Sequence, residues 1–139
     1  MKVFGGCNEA LEYIQKNSQS LGLRKVQRLP VSGAFHTKLM EPALKPFIKA
    51  LRVLNIEEPN ITVYSNYSTK TYNDDSRRSR HNLIKQIVSP VKWEQIMHSI
   101  YERPEDLPFP TTFDVGSKGT MRTLLKNVNA KATVNCYVY

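Results

Sequence analysis

The sequence predicts an α/β fold, and three observations predict it. Short runs of β-branched or alternating residues recur along the chain, amphipathic helical periods fall between them, and Gly or Pro punctuates most junctions. At 139 residues, 40% hydrophobic and 23% charged, the composition is that of one globular unit. No apolar run approaches the roughly 18 residues that a membrane span needs, so no contact with a bilayer is expected.

Val3 and Phe4, ahead of Gly5 and Gly6, read as the end of a short strand, and Asn8 as the cap of a helix carrying Ala10, Leu11, Ile14 and Leu21 on one side. Beyond Gly22, Arg24 to Leu29 reads as a half-buried strand that Pro30 ends. Residues 31–37 form a loop, after which Met40, Ala43, Leu44, Phe47, Ile48, Leu51 and Leu54 mark an amphipathic helix of about four turns. Pro46 means that this helix either kinks or starts at Pro42 with Pro46 near its first turn.

Ile61, Val63 and Tyr64 predict a short strand, and Tyr72 to Asn82, with Asp74, Asp75 and the run Ser76 to His81, predicts a polar surface loop. Leu83, Ile84, Ile87 and Val88 predict a helix ending near Ser89, and Pro90 opens another with Trp93, Ile96, Met97 and Ile100 on one face. Pro104, Pro108 and Pro110 impose an extended connection to a strand at Thr111–Val115. Gly116 to Gly119 reads as a tight turn, and Met121, Leu124, Leu125 and Val128 as the apolar side of a last helix.

The formal charge is +8, and residues 1–52 hold nine Lys and Arg against three Asp and Glu, while residues 53–139 hold eleven against nine. Such a balance favours acidic partners without choosing among them. Cys7 and Cys136 stand near opposite ends with no C-x-x-C or Cys/His cluster, so neither a metal site nor a disulfide framework is expected. The segment after Met1 has neither the apolar core of a signal peptide nor the Arg-rich stretch of a transit peptide.

His36 is the most informative ionisable residue, because its loop joins a predicted strand to a predicted helix, where α/β folds place reactive groups. A neutral imidazole there can take a proton from a hydroxyl and return it to a leaving thiol, given a second group that fixes its tautomer. From spacing alone, a lone loop histidine is more often structural. Gly116-Ser-Lys-Gly-Thr120 offers a weak phosphate-loop reading, since it lacks the full G-x-x-x-x-G-K-[ST] pattern. Arg77, Arg78 and Arg80 lack the aromatic interleaving of a nucleic-acid module and read as a solvated loop, so no nucleic-acid partner is expected.

Four motifs stand in order: Leu29-Pro-Val-Ser-Gly-Ala-Phe-His-Thr-Lys-Leu-Met-Glu-Pro-Ala43, Val63-Tyr-Ser-Asn66, Gln86-Ile-Val-Ser-Pro-Val-Lys-Trp93 and Phe113-Asp-Val-Gly116. Together they resemble the malonyl-CoA:acyl carrier protein transacylases, and Pro90-Val-Lys-Trp-Glu-Gln95 with Ile100-Tyr-Glu-Arg103 looks most like the animal mitochondrial members. The resemblance implies the C-terminal part of an α/β-hydrolase-like acyltransferase domain, here residues 32–139, preceded by the end of an inserted ferredoxin-like subdomain at residues 1–31.

The resemblance makes His36 the general base and places a main-chain carbonyl that orients it on Gln86. The family's nucleophilic serine lies in Gly-His-Ser-Leu-Gly, but no serine here stands in G-x-S-x-G, and the arginine that pairs with the malonyl carboxylate has no counterpart either. The chain is therefore expected to begin after both and to be inactive alone. The alternative is a non-catalytic form that binds carrier protein.

Phe35 resembles the bulky residue of malonyl-selective members, against ordinary core packing. Asn66 matches a family asparagine that orders the site through its amide, against a plain turn residue. Lys126 matches a lysine that bacterial relatives use to hold the carrier protein, against a solvated helix face. The resemblance implies no cofactor beyond the substrates, malonyl-CoA and phosphopantetheinylated acyl carrier protein; a monomer is expected, in the mitochondrial matrix. Ser117-Lys-Gly119 departs from the family's Gly-Pro-Gly, and the tail after Ala130 departs as well.

Overall fold

The computed structural model of the 139-residue chain describes residues 2–72, 75–102, 104 and 106–139. Its helices are α1 (Asn8–Lys16), α2 (Glu41–Arg52), α3 (Ser76–Ile87), α4 (Trp93–Tyr101) and α5 (Thr120–Val128), with 3₁₀ turns at Lys38–Met40 and Lys131–Thr133. Strands β1 (Thr112–Asp114) and β2 (Cys136–Val138) pair in parallel, Phe113 opposite Tyr137. A parallel pair needs a crossover of a dozen or more residues, and α5 with the second 3₁₀ turn supplies it.

Among the described residues, the cluster of buried apolar side chains lies at this end. Ile96, Met97 and Tyr101 of α4, Leu125 of α5, Ala132, and Cys136 of β2 form one buried cluster, with Tyr64, Trp93, Ile100 and Val128 packed against it. The 3.6-residue spacing read from Trp93 to Ile100 thus points inward, and of the α5 set Leu125 and Val128 do so, while Met121 stays exposed. At the other end α2 and α3 pack together, yet Leu51 is the single buried residue of α2, and those of α3 are Ser79 and Asn82. Helix α1 buries no residue.

The total exposed surface is 10987 Å². A folded monomer of 16.0 kDa exposes about 7400 Å² by the usual scaling with mass. The excess shows in large apolar side chains left on the surface, including Val3, Phe4, Val31, Phe35, Leu39, Val115 and Tyr139.

Several expectations need correction. Val3–Phe4 and Arg24–Leu29 are not strands, because no described strand lies beside either to bond their main chains. The Ile61–Tyr64 strand shrinks to one antiparallel bridge between Tyr64 and Thr71. Asn8 is the first residue of α1 rather than its cap, which is Cys7, and Leu21 falls beyond the end of α1.

Helix α2 starts at Glu41, so Pro46 sits inside it rather than near its first turn, and without an N–H it leaves the Pro42 carbonyl unbonded within the helix. Helix α4 begins at Trp93, three residues past Pro90. The largest miss is the surface loop: it is helical from Ser76, because the Asp75 carboxylate accepts hydrogen bonds from the amides of Arg77 and Arg78 at 3.0 Å each and so caps α3. Asn73, Asp74, Arg103 and Glu105 lie outside the described residues.

Candidate active site around His36

His36 sits at the end of the loop that leads into α2. The Thr37 hydroxyl donates to the Ala34 carbonyl at 2.7 Å and accepts from the Leu39 amide at 3.3 Å, which closes the turn and starts the 3₁₀ segment. The loop is fitted closely against the N-terminal segment: a methyl group on Gly5 would lie 2.6 Å from Thr37 Cγ2. Only glycine leaves room there.

His36 has φ of +63°, a left-handed conformation that costs a non-glycine residue on the order of 1–3 kcal/mol and persists only where surroundings enforce it. The enforcing groups are two carbonyls at the end of α3. The His36 amide donates to the Ile87 carbonyl at 3.0 Å, and Nδ1 lies 2.6 Å from the Gln86 carbonyl oxygen. A carbonyl only accepts, so Nδ1 carries the proton and donates, and Nε2 is left with its lone pair. These carbonyls have no partner within the helix, and the helix C-terminus favours a cation beside it. The arrangement can therefore hold the ring in one tautomer and leave Nε2 able to accept a proton.

The structure thus brings His36 and Gln86 together across fifty residues of sequence. Phe35 is exposed, with its ring edge over Gly33. Asn66 accepts from the Lys92 amide through its main-chain carbonyl at 3.0 Å. Beside it, the Tyr67 ring meets the Lys92 ammonium at 5.4 Å and the His81 ring edge-on at 6.2 Å. Lys126 lies exposed in the last turn of α5, on the unit that holds the apolar core.

Sequence reasoning missed three participants: Thr37, the Ile87 carbonyl and Arg80. Thr37 carried a readable signal, a hydroxyl residue just before a helical pattern. The other two are a main-chain group and a side chain that bonds across 26 and 29 residues.

The Gly116–Thr120 turn binds an anion already, and it is the chain's own. Asp114, buried beneath it, accepts from the Ser117 hydroxyl and from the Arg122 amide at 3.0 Å, while Ser117 Oγ accepts from the Met121 amide at 3.0 Å. The Ser117 hydroxyl, followed by the Arg122, Met121 and Gly119 amides, holds the Asp114 carboxyl below the usual range against the opposing effect of burial. That occupancy removes the weak phosphate-loop reading, and Gly116, Lys118 and Gly119 supply the positive φ that the turn needs. Among the described residues no three His, Cys, Asp or Glu side chains gather as a metal site, and no helix is long and apolar enough to cross a membrane.

No protein-family model matches the chain. It is 45% identical over 139 residues to a probable mitochondrial malonyl-CoA-acyl carrier protein transacylase of Drosophila melanogaster, covering 98% of this chain and 36% of that protein. The human mitochondrial malonyl-CoA-acyl carrier protein transacylase is 46% identical over 132 residues, covering 94% of this chain and 33% of its own. The malonyl-CoA-acyl carrier protein transacylase of Coxiella burnetii superposes with a TM-score of 0.78 at 23% identity, over 94% of this chain and 39% of that one.

The fold is accordingly that of part of an α/β acyltransferase domain. Within that class the chain belongs to the malonyl-CoA-acyl carrier protein transacylase family, and it spans about a third of the length of the curated relatives it matches.

Proposed function

We propose that this chain carries the general-base side of a malonyl-transfer site. His36 is the base and the Gln86 carbonyl orients it. The observation that carries the reading is the 2.6 Å contact between Nδ1 and that carbonyl, which leaves Nε2 free to accept a proton. In the reaction, Nε2 takes the proton of a serine hydroxyl as the serine oxygen attacks the malonyl thioester carbonyl. The imidazolium returns that proton to the departing coenzyme A sulfur, leaving malonyl on serine. The thiol of phosphopantetheinylated acyl carrier protein then repeats the sequence in reverse.

The serine comes from a nucleophile elbow that these 139 residues do not contain, so the chain alone forms no acyl-enzyme. Residues 32–139 serve as the C-terminal part of the large subdomain and residues 1–31 as the end of the small one. Phe35, beside the base and exposed toward the open side, restricts room for an α-substituent on the acyl group. Asn66 orders the loop opposite, and Lys126 offers a cation to the acidic carrier protein. The mitochondrial names of the Drosophila and human relatives support work in the mitochondrial matrix.

The test is a chimera in which this chain replaces the aligned segment of the Drosophila relative. Transfer of malonyl from malonyl-CoA to acyl carrier protein is expected, and His36→Ala should lower it on the order of 10³-fold or more with the fold retained. Near-parental turnover would remove His36 from the chemistry. A chain that binds carrier protein without transfer is the second reading, favoured by the lack of any serine in G-x-S-x-G. An inactive chimera that still binds carrier protein would select it.

A further inference from the structure

We infer that Arg80 is a positioning residue for His36, acting through the packing of α3 against α2. Of the three arginines in α3, Arg77 and Arg78 are exposed and Arg80 is half-buried. Its guanidinium donates to the Leu54 carbonyl at 2.8 Å and to the Leu51 carbonyl at 3.4 Å, at the C-terminal end of α2. Helix ends leave such carbonyls open and favour a cation beside them, and a planar fork can serve two at once.

The opposite end of the pair carries the matching contact. His36 lies five residues ahead of α2 and binds the last carbonyls of α3, so the two helices run antiparallel and each receives a nitrogen donor at its C-terminus. One donor is Arg80 and the other is the proposed base itself. The two contacts stand six residues apart along α3, a rise of about 9 Å.

Half-buried side chains such as Leu44, Phe47 and Ile48 on α2 and Leu83 and Ile84 on α3 add contact that has little direction, and few fully buried groups fix the sliding of one helix on the other. Leu51 is the one buried side chain that α2 brings to the joint, while α3 brings Ser79 and Asn82, the latter bonded to Ser68 Oγ at 3.2 Å. Apolar burial is therefore small, and Arg80 sets the register that keeps the Gln86 and Ile87 carbonyls under the ring. A shift of about 1 Å at a reacting group can lower a rate about 100-fold, so the register bears on catalysis without Arg80 touching substrate.

The inference rests on His36 being the base, but its test needs no activity. In the 139-residue chain with ¹⁵N-labelled histidine, the parent should show His36 with its proton on Nδ1 and slow exchange of that proton with water. Arg80→Ala should speed exchange tenfold or more and bring in the Nε2–H form, and Arg80→Lys, which keeps the charge but not the fork, should fall between. Leu125→Ala, which weakens the distant apolar core, should leave the ring signals parental.

Parental signals in Arg80→Ala, or an equal disturbance by Leu125→Ala, would overturn the inference. If Arg80→Ala does not fold, Arg80→Lys decides: an intermediate exchange rate supports the inference and a parental rate ends it. An inactive chimera with these ring signals as expected would instead count against the proposed chemistry alone.

Discussion

The two ends of the molecule are held together by different forces. Around α4, α5 and β2, apolar side chains meet in one buried cluster. Around His36, α2 and α3 fully bury a single apolar side chain, Leu51, and add directed bonds: the Asp75 cap, the Arg80 fork, the Asn82–Ser68 link and the two carbonyls that grip the histidine. Burial is insensitive to direction, whereas hydrogen bonds fix angle and distance. The end that holds a ring in one tautomer is the end built from directed bonds.

The comparison breaks most visibly under cavity formation. Leu125→Ala should cost about 2–5 kcal/mol, because it empties the centre of the apolar cluster, and thermal unfolding would show it. A loss under about 1 kcal/mol would mean that the cluster is not what holds this end. Thr37→Ala should cost less, about 0.5–2 kcal/mol, since it removes a cap rather than packing. Thr37→Ser should recover most of that loss in the same melts, and no recovery would point to the Thr37 methyl group instead.

Acid sharpens the contrast at both ends. The Arg78 amide, helped by the Arg77 amide and the two arginine charges, holds the Asp75 carboxyl below its ordinary value against the opposing effect of desolvation, and Asp114 is lowered as described above. A carboxyl whose folded pKa is depressed contributes its full stabilisation above the unfolded value, near 4, and loses it as pH falls through the folded value. Between pH 5 and 8 neither group should alter stability. Below about pH 4 both the α3 cap and the turn before α5 should weaken, and Asp114→Asn should flatten the acid limb of a pH-dependent melt. The smallest effect belongs to Arg77→Ala, an exposed change that should stay within about 0.5 kcal/mol; a larger one would mean that the outer face of α3 is already in contact with something.

Much of this was legible in the residues, and what was not had a physical reason. Helical spacing locates α2, α4 and α5, and the motif resemblance pairs His36 with the Gln86 carbonyl, as the 2.6 Å contact does. Strands fared worse because a strand is a relation between segments: Arg24–Leu29 has the pattern but no described neighbour, while Cys136–Val138 is too short to show a pattern and becomes β2 only through β1. The start of α3 hid behind Ser76-Arg77-Arg78-Ser79-Arg80, a run with no apolar period. Asp75 was the available signal, and its capping geometry outweighs the polar run that follows. Arg80 read as a solvated charge, since nothing local reveals partners near Leu51.

The β1–β2 pair has one more consequence, for how copies of the chain treat each other. Each strand bonds to the other alone among the described residues, so two outer edges remain open, and Phe113 packs beside Tyr137 and Tyr139 in an exposed aromatic group across the pair. Open edges beside apolar surface are templates for edge-to-edge joining. What opposes joining is the charge of +8, whose reach shrinks from about 10 Å at 0.1 M salt to about 3 Å at 1 M. Ionic strength, more than heat, thus sets how long the chain stays dispersed: dilute buffer keeps neighbours apart, and concentrated salt lets the sheets find one another.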